Sequence, residues 1–156
     1  MPRGNLFIRK TINYGASTTS SATLKDANGN TAIASAQVKL YQRPKGSTSW
    51  TFVSNATTNS SGVASKSVSP KANEQYQWRY AGDSSHGAAT SGVQTISVRP
   101  VISAHSTKAT VPHGVAFKIY GTVNPASAGQ TVHLQRQAGT AWNTIATVTI
   151  KRARTP

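Results

Sequence analysis

Apolar and polar side chains alternate with a period of two in short runs along the chain. β-Branched residues fill these runs, and Gly, Asn, Pro and Ser punctuate them. No stretch keeps apolar residues at the i, i+3, i+4, i+7 spacing of a helix face long enough to form one. The pattern predicts strands over 5–12, 17–26, 36–43, 49–57, 63–69, 74–82 and 93–98. Ala22 and Leu24 point inward from the second. Val38 and Leu40 share a face of the third, because successive side chains alternate across a strand. Turn chemistry separates the runs. Asn28-Gly29 suits the positive φ of a tight turn, Pro44-Lys45-Gly46 makes a loop, and the Thr58–Gly62 segment reverses the chain.

About seven or eight short antiparallel strands before Arg99-Pro100 match an immunoglobulin-like sandwich. Pro100 reads as a boundary, since it has no N–H to give a ladder. The pattern then begins again. "TINYGAS" (11–17) aligns with "TVPHGVA" (110–116), and 36–57 aligns with 129–149. Val38 matches Val132, Leu40 matches Leu134, Trp50 matches Trp142 and Val53 matches Ile145. A small change in loop length is what a repeated fold tolerates. The expected architecture is all-β: a complete sandwich over 5–99 and the N-terminal half of a second over 100–156. That half lacks counterparts of 58–98, which would leave Phe117, Ile119, Val132, Leu134 and Trp142 without a covering sheet. The second unit is therefore expected to be truncated, or to be completed by strands from a partner chain.

The run "VKLYQRPKGSTSWTFVSNATTNSSGVASKSVSP" followed by "YQWRYAGDSSHGAATSGVQTISVRP" resembles a bacterial immunoglobulin-like repeat. The likeness lies in an aromatic-rich strand entering Tyr80-Ala81-Gly82-Asp83, a Ser-rich loop, and a closing V-x-x-I-x-V strand. It extends over nearly the whole chain, as one repeat and the front of another. The resemblance implies a spacer, an adhesive module or an accessory domain in a secreted, wall-associated or virion protein.

Composition changes the picture in two ways. There is no cysteine, so neither a disulfide framework nor a thiolate metal site is possible. Only 13% of residues are charged, yet the net charge is +14, because 17 Lys and Arg face three acids: Asp26, Glu74 and Asp83. Such a chain is drawn to polyanions. Its bases are scattered, apart from Lys151, Arg152 and Arg154, whereas nucleic-acid binders concentrate charge on one face. The candidate polyanion contacts are Arg43, Lys45, Lys66, Lys71, Arg79, Lys151, Arg152 and Arg154, and specific nucleic-acid binding is not the favoured reading. No apolar run reaches the length of a membrane span. The first residues, "MPRGNLFIRKT", lack the apolar core of a secretory signal.

The run "EQYQWRYAGD" (74–83) could be a base-stacking platform or one buried face of a strand. Alternation favours the second. Tyr76, Trp78 and Tyr80 share a face, with Gln77 and Arg79 on the other. Trp50 and Trp78 are the expected centre of the core, packed by Val38, Leu40, Val53, Val63, Val93 and Ile96, with the tyrosine hydroxyls reaching polar groups. No metal or other cofactor is expected. His86 and His113 read as loop residues, and His105 and His133 as strand-surface residues, with no helical spacing or acidic neighbour to make a ligand set. Three carboxylates leave little for paired acid–base chemistry, and Asp83 reads as a loop-fixing residue accepting backbone N–H groups. "GDSSHG" (82–87) holds Asp, Ser and His, but adjacency in sequence is not triad geometry. Asn55 and Asn59 head glycosylation sequons that read here as polar turn residues.

These readings converge on a non-enzymatic structural or adhesive module, extracellular, at a cell surface or on a virion. Its expected partners are neighbouring repeats, a completing chain and anionic polymers. Two alternatives stay open: a cationic polyanion or nucleic-acid binder, and a carbohydrate-binding accessory domain.

Overall fold

The computed structural model describes residues 8–28 and 30–151. The expected strand residues 5–7, the turn glycine Gly29, and Arg152 and Arg154 lie outside them. The described residues form strands, turns and loops without a helix. The chain divides into two units, 1–99 and 100–156.

The first unit is a β-sandwich. Its strands are β1 (Arg9–Asn13), β2 (Thr18–Thr23), β3 (Gln37–Pro44), β4 (Thr51–Thr57), β5 (Val63–Val68), β6 (Glu74–Tyr80), β7 (Ala89–Thr90) and β8 (Gln94–Arg99). One sheet runs β1-β8-β6-β3-β4, with the short β7 also paired to β6, and the other is β2-β5. The expectation of uniformly antiparallel strands needs one correction. β1 runs parallel to β8, with Arg9 opposite Thr95 and Asn13 opposite Arg99. These strands come from the two ends of the unit, so no hairpin constrains their direction. The two-residue β7 is too short to register as alternation.

The core lies between the two sheets. Val38 and Leu40 from β3, Ala64 and Val68 from β5, Tyr76, Trp78 and Tyr80 from β6, and Ile96 from β8 are buried together. Ala22 and Leu24 pack against them half-buried, as does Val53. The β6 rings thus line the interior, and Gln75, Gln77 and Arg79 take the other face. Burying an indole removes roughly 150–250 Å² from water, but its N–H then needs a partner. Trp78 Nε1 donates to Ser20 Oγ of the opposite sheet at 3.0 Å. Ser20 Oγ in turn donates to Gln94 Oε1 at 2.6 Å, and Gln94 Nε2 donates back to the Ser21 carbonyl. This polar chain crosses the sandwich at its middle and explains why so polar a strand as β2 can face a core.

One expected core residue is placed elsewhere. Trp50 is half-buried on the opposite side of the larger sheet. The cause is a β-bulge. Leu40 faces Ser54 and Tyr41 faces Phe52, so Val53 is an extra residue that reverses the parity of β4. After the bulge, Ala56 packs against the core. Before it, Phe52 turns outward and is 50% exposed. Val63 and Val93, also expected in the core, are half-buried.

The second unit consists of two antiparallel hairpins. β9 (Val101–Ser106) pairs with β10 (Ile119–Asn124), and β11 (Thr131–Ala138) pairs with β12 (Ala141–Thr149). None of its described residues is buried, and Phe117, Ile119 and Trp142 are exposed. In the second hairpin Leu134 faces Ala146 and Gln135 faces Thr144, which leaves Ile145 as the extra residue. Val53 and Ile145 are aligned positions, so both hairpins carry the same bulge at the same place. Trp142 accordingly lies opposite Gln137, on the face away from Leu134. Its exposure is that of Trp50's counterpart and not of an uncovered core residue.

Replacing Ser20 with Ala leaves the buried Trp78 N–H without its acceptor. Chemical denaturation should show a loss of about 1–3 kcal/mol. An unchanged midpoint would mean that the indole does not depend on this bond.

Candidate polyanion-binding face

Because the bulge turns β4 over, five side chains meet on the outer face of the larger sheet: Tyr41 and Arg43 from β3, Trp50 immediately before β4, Phe52 within it, and Arg79 from β6. The Arg43 guanidinium lies 4.4 Å from the centre of the Trp50 ring. That of Arg79 lies 4.4 Å from the Tyr41 ring and 5.7 Å from Trp50. Tyr41 and Phe52 meet edge to face at 5.9 Å. Each arginine is also tied by an amide: Arg43 Nε donates to Gln75 Oε1 at 2.8 Å, and Arg79 Nε donates to Gln77 Oε1 at 3.3 Å. Lys39, exposed, is the cross-strand neighbour of Arg79.

The electrostatics of this face follow from where the three acids lie. Glu74 accepts the Tyr76 hydroxyl at 2.6 Å, and burial with this bond pushes the tyrosine's pKa far above its usual value. Asp26 sits in the loop after β2, where its Oδ1 accepts Asn28 N–H at 3.1 Å. Asp83 belongs to the β6–β7 loop. Among the described residues the one ion pair is His86 with Asp83. No described lysine or arginine is paired with a carboxylate, so the guanidiniums on the outer face keep their full charge.

The other candidate contacts are dispersed. Lys45 is exposed in the β3–β4 loop and Lys66 is exposed on β5, in the other sheet. Lys71 precedes β6, its Nζ 5.4 Å from the Tyr14 ring. Lys151 belongs to the second unit. The structure therefore brings Arg43 and Arg79 together and separates them from the rest. The aromatics beside them were overlooked in the sequence because Trp50 was assigned to the core. The contrary signal was present: Trp50 and Val53 are three residues apart, an offset that cannot put both on one face of a regular strand.

The Asp83 loop is built for shape. Asp83 Oδ2 accepts the Tyr80 hydroxyl at 2.6 Å, and Oδ1 accepts the Ser85 and His86 backbone N–H groups at 2.8 and 2.7 Å. His86 Nδ1 lies 3.0 Å from the same oxygen. Gly82 adopts φ +89°, and a Cβ there would come within 2.9 Å of the His86 carbonyl, so the Gly-Asp pair is required locally. Asn59 acts similarly: its Oδ1 accepts Ser61 and Val63 N–H at 3.0 and 2.9 Å, which supports the turn reading of that residue. His105 and His133 are exposed on strands, and His86 and His113 lie in loops. Among the described residues, no three of His, Asp and Glu converge on a common point. No described helix is long and apolar enough to cross a membrane.

No family model matches the chain, and no curated protein resembles it significantly.

The Tyr80 hydroxyl, the Ser85 N–H and His86 hold the Asp83 carboxyl well below the usual carboxylate range. A depressed folded-state pKa stabilises the fold above the unfolded value of about 3.9, and this contribution is lost as pH falls through the folded value. Asp83→Asn should therefore lower the melting temperature at neutral pH, and the gap to the parent protein should close progressively below about pH 4. A gap that stays constant into strong acid would contradict this role for the carboxylate.

Proposed function

We propose that the chain is a non-enzymatic structural or adhesive module built of immunoglobulin-like repeats. It belongs to an extracellular bacterial or virion-surface protein and touches anionic polymers through its cationic surface. The observation that carries this reading is electrostatic: no described lysine or arginine has a carboxylate partner, in a chain with 17 basic and three acidic residues. A net charge of this size concentrates anions at the surface and steers them towards it. Weak contacts of this kind gain strength through repetition along a polymer.

The immunoglobulin-like assignment is supported by the strand arrangement, six strands opposed by two with Greek-key-like crossings between sheets. The bulge shared by the two aligned hairpins supports a tandem repeat. The non-enzymatic assignment is supported by the acids themselves, since Glu74 and Asp83 are engaged by tyrosine hydroxyls. In the second unit, Val132 and Leu134 are only half-buried and Val148 is 60% exposed. Val38 and Leu40, the counterparts of Val132 and Leu134, are buried in the first unit in one core with Ala64 and Val68 of β5 in the opposite sheet. That face suits the strands of a neighbouring repeat or a partner chain. The half-exposed Phe52 and Trp50 favour a second reading, carbohydrate recognition.

A salt series tests the polyanion reading. Binding to immobilised polygalacturonate, polyglutamate or single-stranded DNA should be measurable at low salt and weaken steeply towards physiological ionic strength. Absence of binding to all three at low salt would contradict it.

A further inference from the structure

Arg43 and Arg79 are held unusually firmly for surface cations. Each has its Nε committed to a glutamine and its guanidinium carbon 4.4 Å from the centre of an aromatic ring. These ties fix the direction of each fork, and the terminal Nη groups remain available. A glutamine at each tether orients the guanidinium as a glutamate would, yet it leaves the charge unneutralised. Such ties lower the entropy cost of ordering two long side chains when an anion binds.

Building on the polyanion reading, the geometry points to this face as a binding site for an anionic polysaccharide, with sugar carboxylates received by Arg43 and Arg79. The guanidinium end presents two parallel N–H groups that match a carboxylate bidentately. The half-exposed ring of Phe52 beside these donors offers what a hydroxylated sugar needs, hydrogen-bonding groups next to an apolar surface. Charge complementarity is complete on this side of the sheet: Glu74 lies towards the core with Tyr76, and Asp26 and Asp83 sit in loops. A nucleic acid fits less well. Its bases require a succession of free ring faces, but Trp50 and Tyr41 are already engaged by guanidiniums, which leaves Phe52 alone.

The test measures binding of the full chain to polygalacturonate at low salt, with neutral dextran, polyglutamate and single-stranded DNA as comparison polymers. Four proteins are compared: the parent, R43Q/R79Q, R43K/R79K, and K108Q/K118Q, which removes equal charge from exposed lysines of the second unit. Circular dichroism confirms that each is folded. The inference predicts binding to polygalacturonate but not dextran. R43Q/R79Q should lose about tenfold or more in affinity, and R43K/R79K most of that, because a lysine cannot supply the fork. K108Q/K118Q should change it only slightly. Equal weakening by both glutamine pairs would overturn the site while leaving general polyanion attraction standing. Tighter binding to single-stranded DNA than to polygalacturonate would overturn the ligand class. Absence of binding to every polyanion would overturn the underlying reading as well.

Discussion

The hydrogen bond from Trp78 to Ser20 is the point on which the first unit turns. Trp78 is the largest side chain in the middle of β6, and the smaller sheet offers few apolar residues to receive it. β2 meets the ring with Thr18, Ser20 and Ala22, of which Thr18 and Ser20 are buried. Thr18 Oγ1 finds no partner among the described residues, and a buried polar atom is costly unless it is hydrogen-bonded. Ser20 meets that condition by accepting from the indole and donating to Gln94 of β8. One hydroxyl thereby connects β6, β8 and β2 and sets the register in which the sheets face each other. The Tyr76–Glu74 and Tyr80–Asp83 bonds are local, and they satisfy the tyrosine hydroxyls towards the two ends of β6.

With β6 pinned by its inner face, its outer face is determined as well. Gln75, Gln77 and Arg79 must point away from the core, towards Tyr41 and Arg43 of β3. The bulge at Val53 then adds the aromatics. A regular β4 would have directed Phe52 to the same side as Ala56, into the core. The inserted residue sends Phe52 outward, with Trp50 beside the arginines. Core packing and the candidate site are two sides of one set of strands, joined by the alternation of β6 and a single extra residue in β4.

Much of this was legible in the sequence. The alternation of 74–80 correctly separated the buried rings from Gln77 and Arg79, and Val38, Leu40 and Ala22 were placed inward as observed. Tyr80-Ala81-Gly82-Asp83 announced a turn that the structure explains atom by atom. Three things escaped. The parallel pairing of β1 with β8 joins distant segments and leaves no local trace. The role of Ser20 was hidden because serine in a polar strand carries no hydrophobic signal. The position of Trp50 was misjudged because size argued for burial, while the odd spacing to Val53 argued against it. The same spacing recurs in Trp142 and Ile145, where the same bulge is found.

The central claim is that Trp50 marks an outer, ligand-facing surface while Trp78 belongs to the core. Acrylamide quenching of the tryptophan fluorescence of Trp142→Phe, with and without polygalacturonate, tests it directly. The account predicts two classes of emission, a protected one from Trp78 and an accessible one from Trp50, with the accessible class becoming shielded as the polymer is added. A single protected class, or an accessible class that saturating polymer leaves unchanged, would contradict it.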